Sequence, residues 1–130
     1  MSADQDLTPA TEREFGALLQ MYQVAGALDA IAPSASLLSK NLKFYTEFAF
    51  YLGEKAGYRV AIEFCDLLVK KLSDADRKRN IGVLLIVEAQ FFDELGIGMS
   101  RDLFALEAAE AFVRSGQYRA AQTALKLVAA

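Results

Sequence analysis

Apolar and polar positions alternate along this chain with the period of helices, and no stretch reads as a strand. Phe15, Leu18, Leu19, Tyr22 and Ala25 follow the i, i+3, i+4, i+7 rule, which predicts a first helix opening near Thr8-Pro9 or at Thr11. Proline suits the first helical position, and Thr11 with Glu14 has capping-box spacing. Leu28 and Ile31 fall near the end of that helix, before Pro33 breaks it. Ser34 or Ser36 then caps a second helix reaching about residue 56, with Leu38, Leu42, Tyr45, Phe48, Ala49 and Leu52 as its main stripe. Phe44, Phe50 and Tyr51 lie off the stripe. The helix is therefore either covered on more than one side or shows these aromatics to a partner.

A third helix over about residues 58–72 turns Tyr58, Ala61, Ile62, Cys65, Leu68 and Leu72 one way and Arg59, Glu63, Asp66 and Lys70 the other. Ser73 or Asp74 caps a fourth, to about residue 95. Its middle, residues 81–92, is apolar on nearly every side apart from Glu88 and Gln90, which places it at the centre of the domain. Gly96-Ile97-Gly98 ends it, Ser100 caps a fifth helix over about 101–114, and a sixth covers about 118–128. The alanines of the fifth helix (Ala105, Ala108, Ala109 and Ala111) permit close approach. The apolar run Leu127-Val128-Ala129-Ala130 is either packed down or in contact with another chain. The expected fold is all-α, with about six antiparallel helices stacked as hairpins in one domain over 1–130, behind a disordered tail at 1–7.

Composition narrows the class. Hydrophobic residues make up 54% of the 130 positions against 24% charged, which demands a packed core and leaves apolar surface for a homo-oligomer or a larger assembly. A net charge of −3 disfavours a general nucleic-acid binder. Cys65 is the only cysteine and sits on an apolar stripe, as a small core residue does. The acidic opening Met1-Ser2-Ala3-Asp4-Gln5-Asp6 is unlike a secretory leader, and the longest strongly apolar run, residues 83–87, is far short of the ~20 residues of a membrane helix. A cytoplasmic protein without membrane contact is expected.

One phrase occurs twice: Lys55-Ala56-Gly57-Tyr58-Arg59-Val60-Ala61, and Arg114-Ser115-Gly116-Gln117-Tyr118-Arg119-Ala120-Ala121. Each lies between two helical runs. The glycine stops the first helix in a left-handed conformation, the tyrosine wedges between the two helices, and the alanine lets them close. Gly116-Gln117-Tyr118-Arg119-Ala120-Ala121 resembles the inter-helix turn of a tetratricopeptide repeat. Tyr45, Phe48, Ala49 and Leu52 match the aromatic, Leu, small and Tyr preferences of that family's first helix. Gly57 sits one residue closer to its tyrosine, Ala105 stands at the aromatic anchor position, and no proline closes either unit. The two alanines are 121 − 61 = 60 residues apart, against about 68 for two family periods. The resemblance implies recognition of a peptide or helix of another protein, as in adaptors, secretion chaperones and assembly factors.

Candidate chemistry is sparse. The absence of histidine removes Ser-His-Asp and Cys-His catalysis, nearly all zinc sites and the Glu-x-x-His pairs of di-iron bundles. Gly96-Ile97-Gly98-Met99-Ser100-Arg101 follows a helix and lacks the third glycine of a dinucleotide loop. Glu107 with Glu110, and Glu47 with Glu54, read as solvated helix faces. We therefore expect no enzyme activity, no cofactor and no metal. The candidate partner-binding residues are the aromatics Phe44, Phe50 and Tyr51 and a basic cluster, Lys70, Lys71, Arg77, Lys78 and Arg79, around the third connection. That cluster contains Asp74 and Asp76 and reads as a self-neutralising turn or as a dock for an acidic segment or phosphate backbone. A protein partner or a second copy is the leading expectation. The alternatives are a small subunit of a nucleoprotein complex and a small-molecule pocket among Phe44, Phe48, Phe91 and Phe92.

Overall fold

The computed structural model describes residues 7–128, and every regular element among them is helical. Seven α-helices follow one another: α1 (Pro9–Ala25), α2 (Ala35–Lys40), α3 (Leu42–Ala56), α4 (Tyr58–Lys71), α5 (Asp74–Glu94), α6 (Gly98–Arg114) and α7 (Tyr118–Leu125). A 3-10 turn, Leu28–Ala30, lies between the first two. From α3 onward the connections are so short that consecutive helices pack side by side and antiparallel. The all-α expectation holds. Of the tail expected at 1–7, residues 1–6 lie outside the described residues, while Leu7 packs against the core. At the other end Leu127 and Val128 are half-buried, and residues 129–130 lie outside the described residues.

Three of the caps are the ones the sequence offers. Thr8 Oγ1 accepts from the Thr11 amide at 3.1 Å with Pro9 in the first turn, Ser34 Oγ accepts from Leu37 N at 3.2 Å, and Ser73 Oγ accepts from Asp76 N at 3.3 Å. Four boundaries differ from expectation. The first helix stops at Ala25, where Gly26 turns left-handed (φ 71°), so Leu28 lies in the 3-10 turn and Ile31 beyond it, and the last helix stops at Leu125 rather than near 128. The second predicted helix is two, because Asn41 leaves helical geometry (φ −132°, ψ 35°) and its side-chain amide donates to Leu37 O at 2.9 Å. The backbone of α2 is closed off by a side chain that competes for its last carbonyls. The helix expected from residue 101 opens earlier, at Gly98, with Ser100 inside its first turn and no side-chain cap.

The main core gathers Phe15, Leu38, Phe48, Leu52, Phe64, Leu68, Leu84 and Phe91 from α1 to α5. A second, smaller cluster joins Ala108, Ala109 and Phe112 of α6 to Ala121 and Ala124 of α7, with Val83, Leu85 and Ile86 of α5 packed against it. The long α5 thus serves both, turning Leu84, Val87 and Phe91 to one and Val83, Leu85 and Ile86 to the other. That double duty is why its middle is apolar nearly all round.

The two repeated corners are not equivalent. Tyr58 packs against the backbone of α3 where Gly53 leaves room, since a Cβ there would lie 2.8 Å from its Cδ1, and its ring rests 5.7 Å from that of Phe91 on α5. Tyr118, expected to wedge likewise, is 65% exposed. Five residues before it stands Val113 instead of a glycine, and no helix follows α7 among the described residues to supply the partner ring. The stops differ as well. Gly116 has the left-handed φ of 77°, whereas Gly57 (φ 103°, ψ 151°) lies outside that helical basin in a region only glycine occupies.

Candidate interaction surface

The aromatics proposed as partner anchors are turned inward. Phe44 lies 5.0 Å from Phe15, Phe50 lies 5.0 Å from Phe91, and Tyr51 is buried with its ring 5.4 Å from Phe15. α3 meets both α1 and α5, so off-stripe aromatics are what its second and third contacts require. Core packing, not display, accounts for all three. The pocket imagined among phenylalanines is filled in the same way: Phe48 and Phe91 are fully buried, and the Phe92 ring lies tilted against Phe104 at 5.1 Å.

The basic cluster divides. Lys70 and Lys71 close α4 and are exposed, as cations at a helix C-terminus tend to be. Arg77 bends back to donate to Leu72 O at 3.4 Å. Lys78 and Arg79 face the α6–α7 turn, where Gln117 Nε2 donates to Arg79 O at 3.2 Å. The fold adds Arg114 to this end of the bundle, in a groove it shares with Asp74, Arg77, Lys78 and Ile81. Asp74 and Glu110 accompany the cations, so the end is mixed in sign.

The surface that sequence reading passed over is the outer side of α6. Its inner side carries Ala105, Ala108, Ala109 and Phe112, all buried, as the close-packing reading of its alanines requires. Directly opposite stand Met99, Leu103, Leu106 and Val113, which are 79%, 55%, 47% and 50% exposed. With Glu110 among them, these positions follow one another at spacings of four, three, four and three residues. At about 100° per residue they occupy an arc of roughly 80°, and they run for about 21 Å along the helix. That spacing was present in the sequence, masked by the alanines of the inner face. A second apolar patch, on α1, exposes Met21 and Val24 over a shallow groove of about 500 Å³.

Most charges around the α6 stripe are paired within the chain. Asp102 borders one side and Glu107 the other, and Glu110 stands within it. Arg101 is turned back into bridges with Asp93 (2.9 Å) and Asp102 (3.0 Å), and Arg114 is held by Glu110. Near Glu107 lies Glu88 of α5, the one fully buried charged residue among the described residues, with no hydrogen-bond donor on either carboxyl oxygen. Burial, then a hydrogen bond from the acid form to Asp66 and that residue's charge, then Glu107 push its pKa up to about 9, so it is protonated at neutral pH. Next to it, burial, with Glu88 and Asp66 contributing, raises the Cys65 thiol well above its ordinary value. A thiol held protonated in a core is a poor nucleophile.

Among the described residues no group of three or more acidic or thiol side chains is placed to hold a metal ion, and no helix is long and apolar enough to cross a membrane. No protein-family model matches this chain, and none of the curated proteins or solved structures matches it.

Proposed function

We propose that this chain is a non-catalytic helical-hairpin module, of tetratricopeptide-like kind, that binds another protein in the manner of an adaptor, chaperone or assembly subunit. The observation that carries the reading is the exposed stripe Met99, Leu103, Leu106 and Val113. Scattered apolar residues on a surface need no explanation, but four on one helix face, interrupted only by Glu110, do. The stripe has no role in the fold, because α6 already buries its opposite side against α5 and α7. Support also comes from what the chain lacks: without histidine, and with its cysteine protonated in the core, it offers few groups suited to proton transfer or nucleophilic attack.

Site-specific photo-crosslinking tests the proposal. A benzophenone side chain at Leu106 should give a covalent adduct with protein in cells producing the chain, and the same group at the exposed Glu63 of α4 should not. Equal yields at the two positions, or none at Leu106, would refute the reading. The runner-up is a small subunit of a nucleoprotein complex. It is favoured by the gathering of Arg77, Lys78, Arg79 and Arg114 at one end and weakened by Asp74 and Glu110 among them. It requires salt-dependent binding of labelled single-stranded nucleic acid, lost in Lys78→Glu/Arg79→Glu.

A further inference from the structure

The hairpins α3–α4 and α6–α7 correspond position by position under the 60-residue shift that relates their two corners. Phe48 and Ala108, Ala61 and Ala121, and Phe64 and Ala124 are matched pairs, and all six are buried. What differs is the helix that comes next. On the first hairpin, α5 lies antiparallel along α4. Its Phe91 ring sits 5.7 Å from Tyr58 and 5.0 Å from Phe50 of α3, and Glu88, three residues earlier, lies beside Cys65 and hydrogen-bonds Asp66. The same shift carries Gly53, Tyr58 and Cys65 to Val113, Tyr118 and Leu125, which are 50%, 65% and 49% exposed. No helix follows α7 among the described residues to lie on them.

A bare apolar face by itself names no occupant, but this one has a covered counterpart in the same molecule. In stacked helical units the same face meets the next helix each time. The form of the occupant follows: a helix antiparallel to α7, with an aromatic ring over Val113 and Tyr118 and an apolar side chain over Leu125. Its charge follows from what the shift changes. Lys126 stands where Asp66 stands, and Arg119 where Arg59 stands. These are the only charged residues from 118 to 128, both are exposed, and neither is ion-paired among the described residues. Asp66 opposes a negative charge on the helix that covers it, whereas Lys126 attracts one. Glu110, in the place of Phe50, is already held by Arg114 and asks for no cation. A second copy is a poor occupant. Tyr118 is the one exposed aromatic among the described residues, so another copy has no other ring to lend, and α7 against α7 sets cations against cations.

We infer that the outer face of α7 seats an acidic amphipathic helix of another protein, laid as α5 lies on α4, with an aromatic side chain on Val113 and Tyr118 and, three residues before it, a carboxylate beside Lys126. The inference rests on the interaction reading above and names its partner's class. Val113 is where this seat meets the α6 stripe.

Three labelled helical peptides test it by fluorescence anisotropy against the full chain. The first carries a leucine row with a Glu-x-x-Phe step at its centre; the second has lysine for that glutamate, and the third alanine for that phenylalanine. The first should bind, the other two about tenfold more weakly or worse. Tyr118→Ala/Leu125→Ala should abolish binding while circular dichroism reports an intact fold, and Lys126→Glu should reverse the preference between the glutamate and lysine peptides. Should the double variant fail to fold, the charge reversal at the exposed Lys126 decides alone. Equal binding of the three peptides, binding unchanged in Tyr118→Ala/Leu125→Ala, or failure of all three to bind overturns the assignment. Self-association of the chain that is lost in Tyr118→Ala overturns it too, by making a second copy the occupant. The crosslinking from Leu106, which lies outside this seat, decides the broader reading separately.

Discussion

Replacing Glu88 by glutamine should make this protein more stable at neutral pH, against the usual direction of core substitutions. In the folded chain the carboxyl is fully buried, its acid form shares a hydrogen bond with Asp66, and its pKa stands at about 9 against 4.5 for an ordinary glutamate. Between those values the folded state holds a proton that the unfolded chain has released. The unfolding free energy therefore falls as pH rises, by about 1.4 kcal/mol per unit, in the window from roughly 4.5 to 9. At pH 7 the accumulated cost is about 3 kcal/mol, a large fraction of the 5–15 kcal/mol of a typical domain. Glutamine has the same shape and never ionises. Its amide N–H can donate to Asp66 as the protonated acid does, so that contribution cancels in the comparison. The charged and titratable groups facing the site are Asp66 and the Cys65 thiol on α4 and Glu107 on α6, and all three remain in the variant. Urea unfolding followed by circular dichroism from pH 5 to pH 9 measures the effect. The Glu88→Gln midpoint should lie about 1–3 M above wild type at pH 7, with the gap closing toward pH 5 and widening toward pH 9. A gap that does not change with pH, or a less stable variant at pH 7, would refute the assignment of a protonated Glu88.

Other substitutions probe the two corners and a cap. Gly53→Ala, a favourable change for an isolated helix, should cost about 1–3 kcal/mol because the new Cβ would lie 2.8 Å from the Tyr58 ring; in a Tyr58→Ala background its cost should vanish, which a double-mutant cycle by urea unfolding reads directly. Tyr58→Ala should destabilise by about 2 kcal/mol or more, whereas Tyr118→Ala should fall within about 0.5 kcal/mol of wild type; equal losses would show the corners to be alike. Ser73→Ala removes the acceptor for Asp76 N and should lower stability by about 1 kcal/mol, measured the same way.

What could be read in the sequence was whatever depends on neighbours close along the chain. Thr8, Ser34 and Ser73 announce helix starts because a short polar side chain bonds a backbone amide three residues on. The central place of α5 was legible from its lack of a polar face. The break at Asn41 was not, because Leu38 and Leu42 keep the apolar stripe running straight across it and the interruption rests on one side-chain hydrogen bond. Tyr58 and Tyr118 occupy the same phrase, yet their burial is decided by Gly53 or Val113 five residues earlier and by whether a later helix supplies a ring. Phe44, Phe50 and Tyr51 read as extra core or as partner anchors alike, because helix contacts on three sides cannot be counted from one helix's own periodicity. The α6 stripe was available as spacing. Only the structure shows that its opposite face is already satisfied.

The alanine-built cluster beneath α6 and α7 has a dynamic consequence. Ala108, Ala109, Ala121 and Ala124 bring little apolar area to their contact, and Phe112 is its one large fully buried side chain, with Val83, Leu85 and Ile86 half-buried against it. A segment secured so lightly is the place where amide protons should trade with solvent by partial opening, ahead of the aromatic-rich remainder. A guest lying along the outside of α6 would clamp that loose hairpin shut, so that occupancy would register as slowed exchange even at amides it never touches.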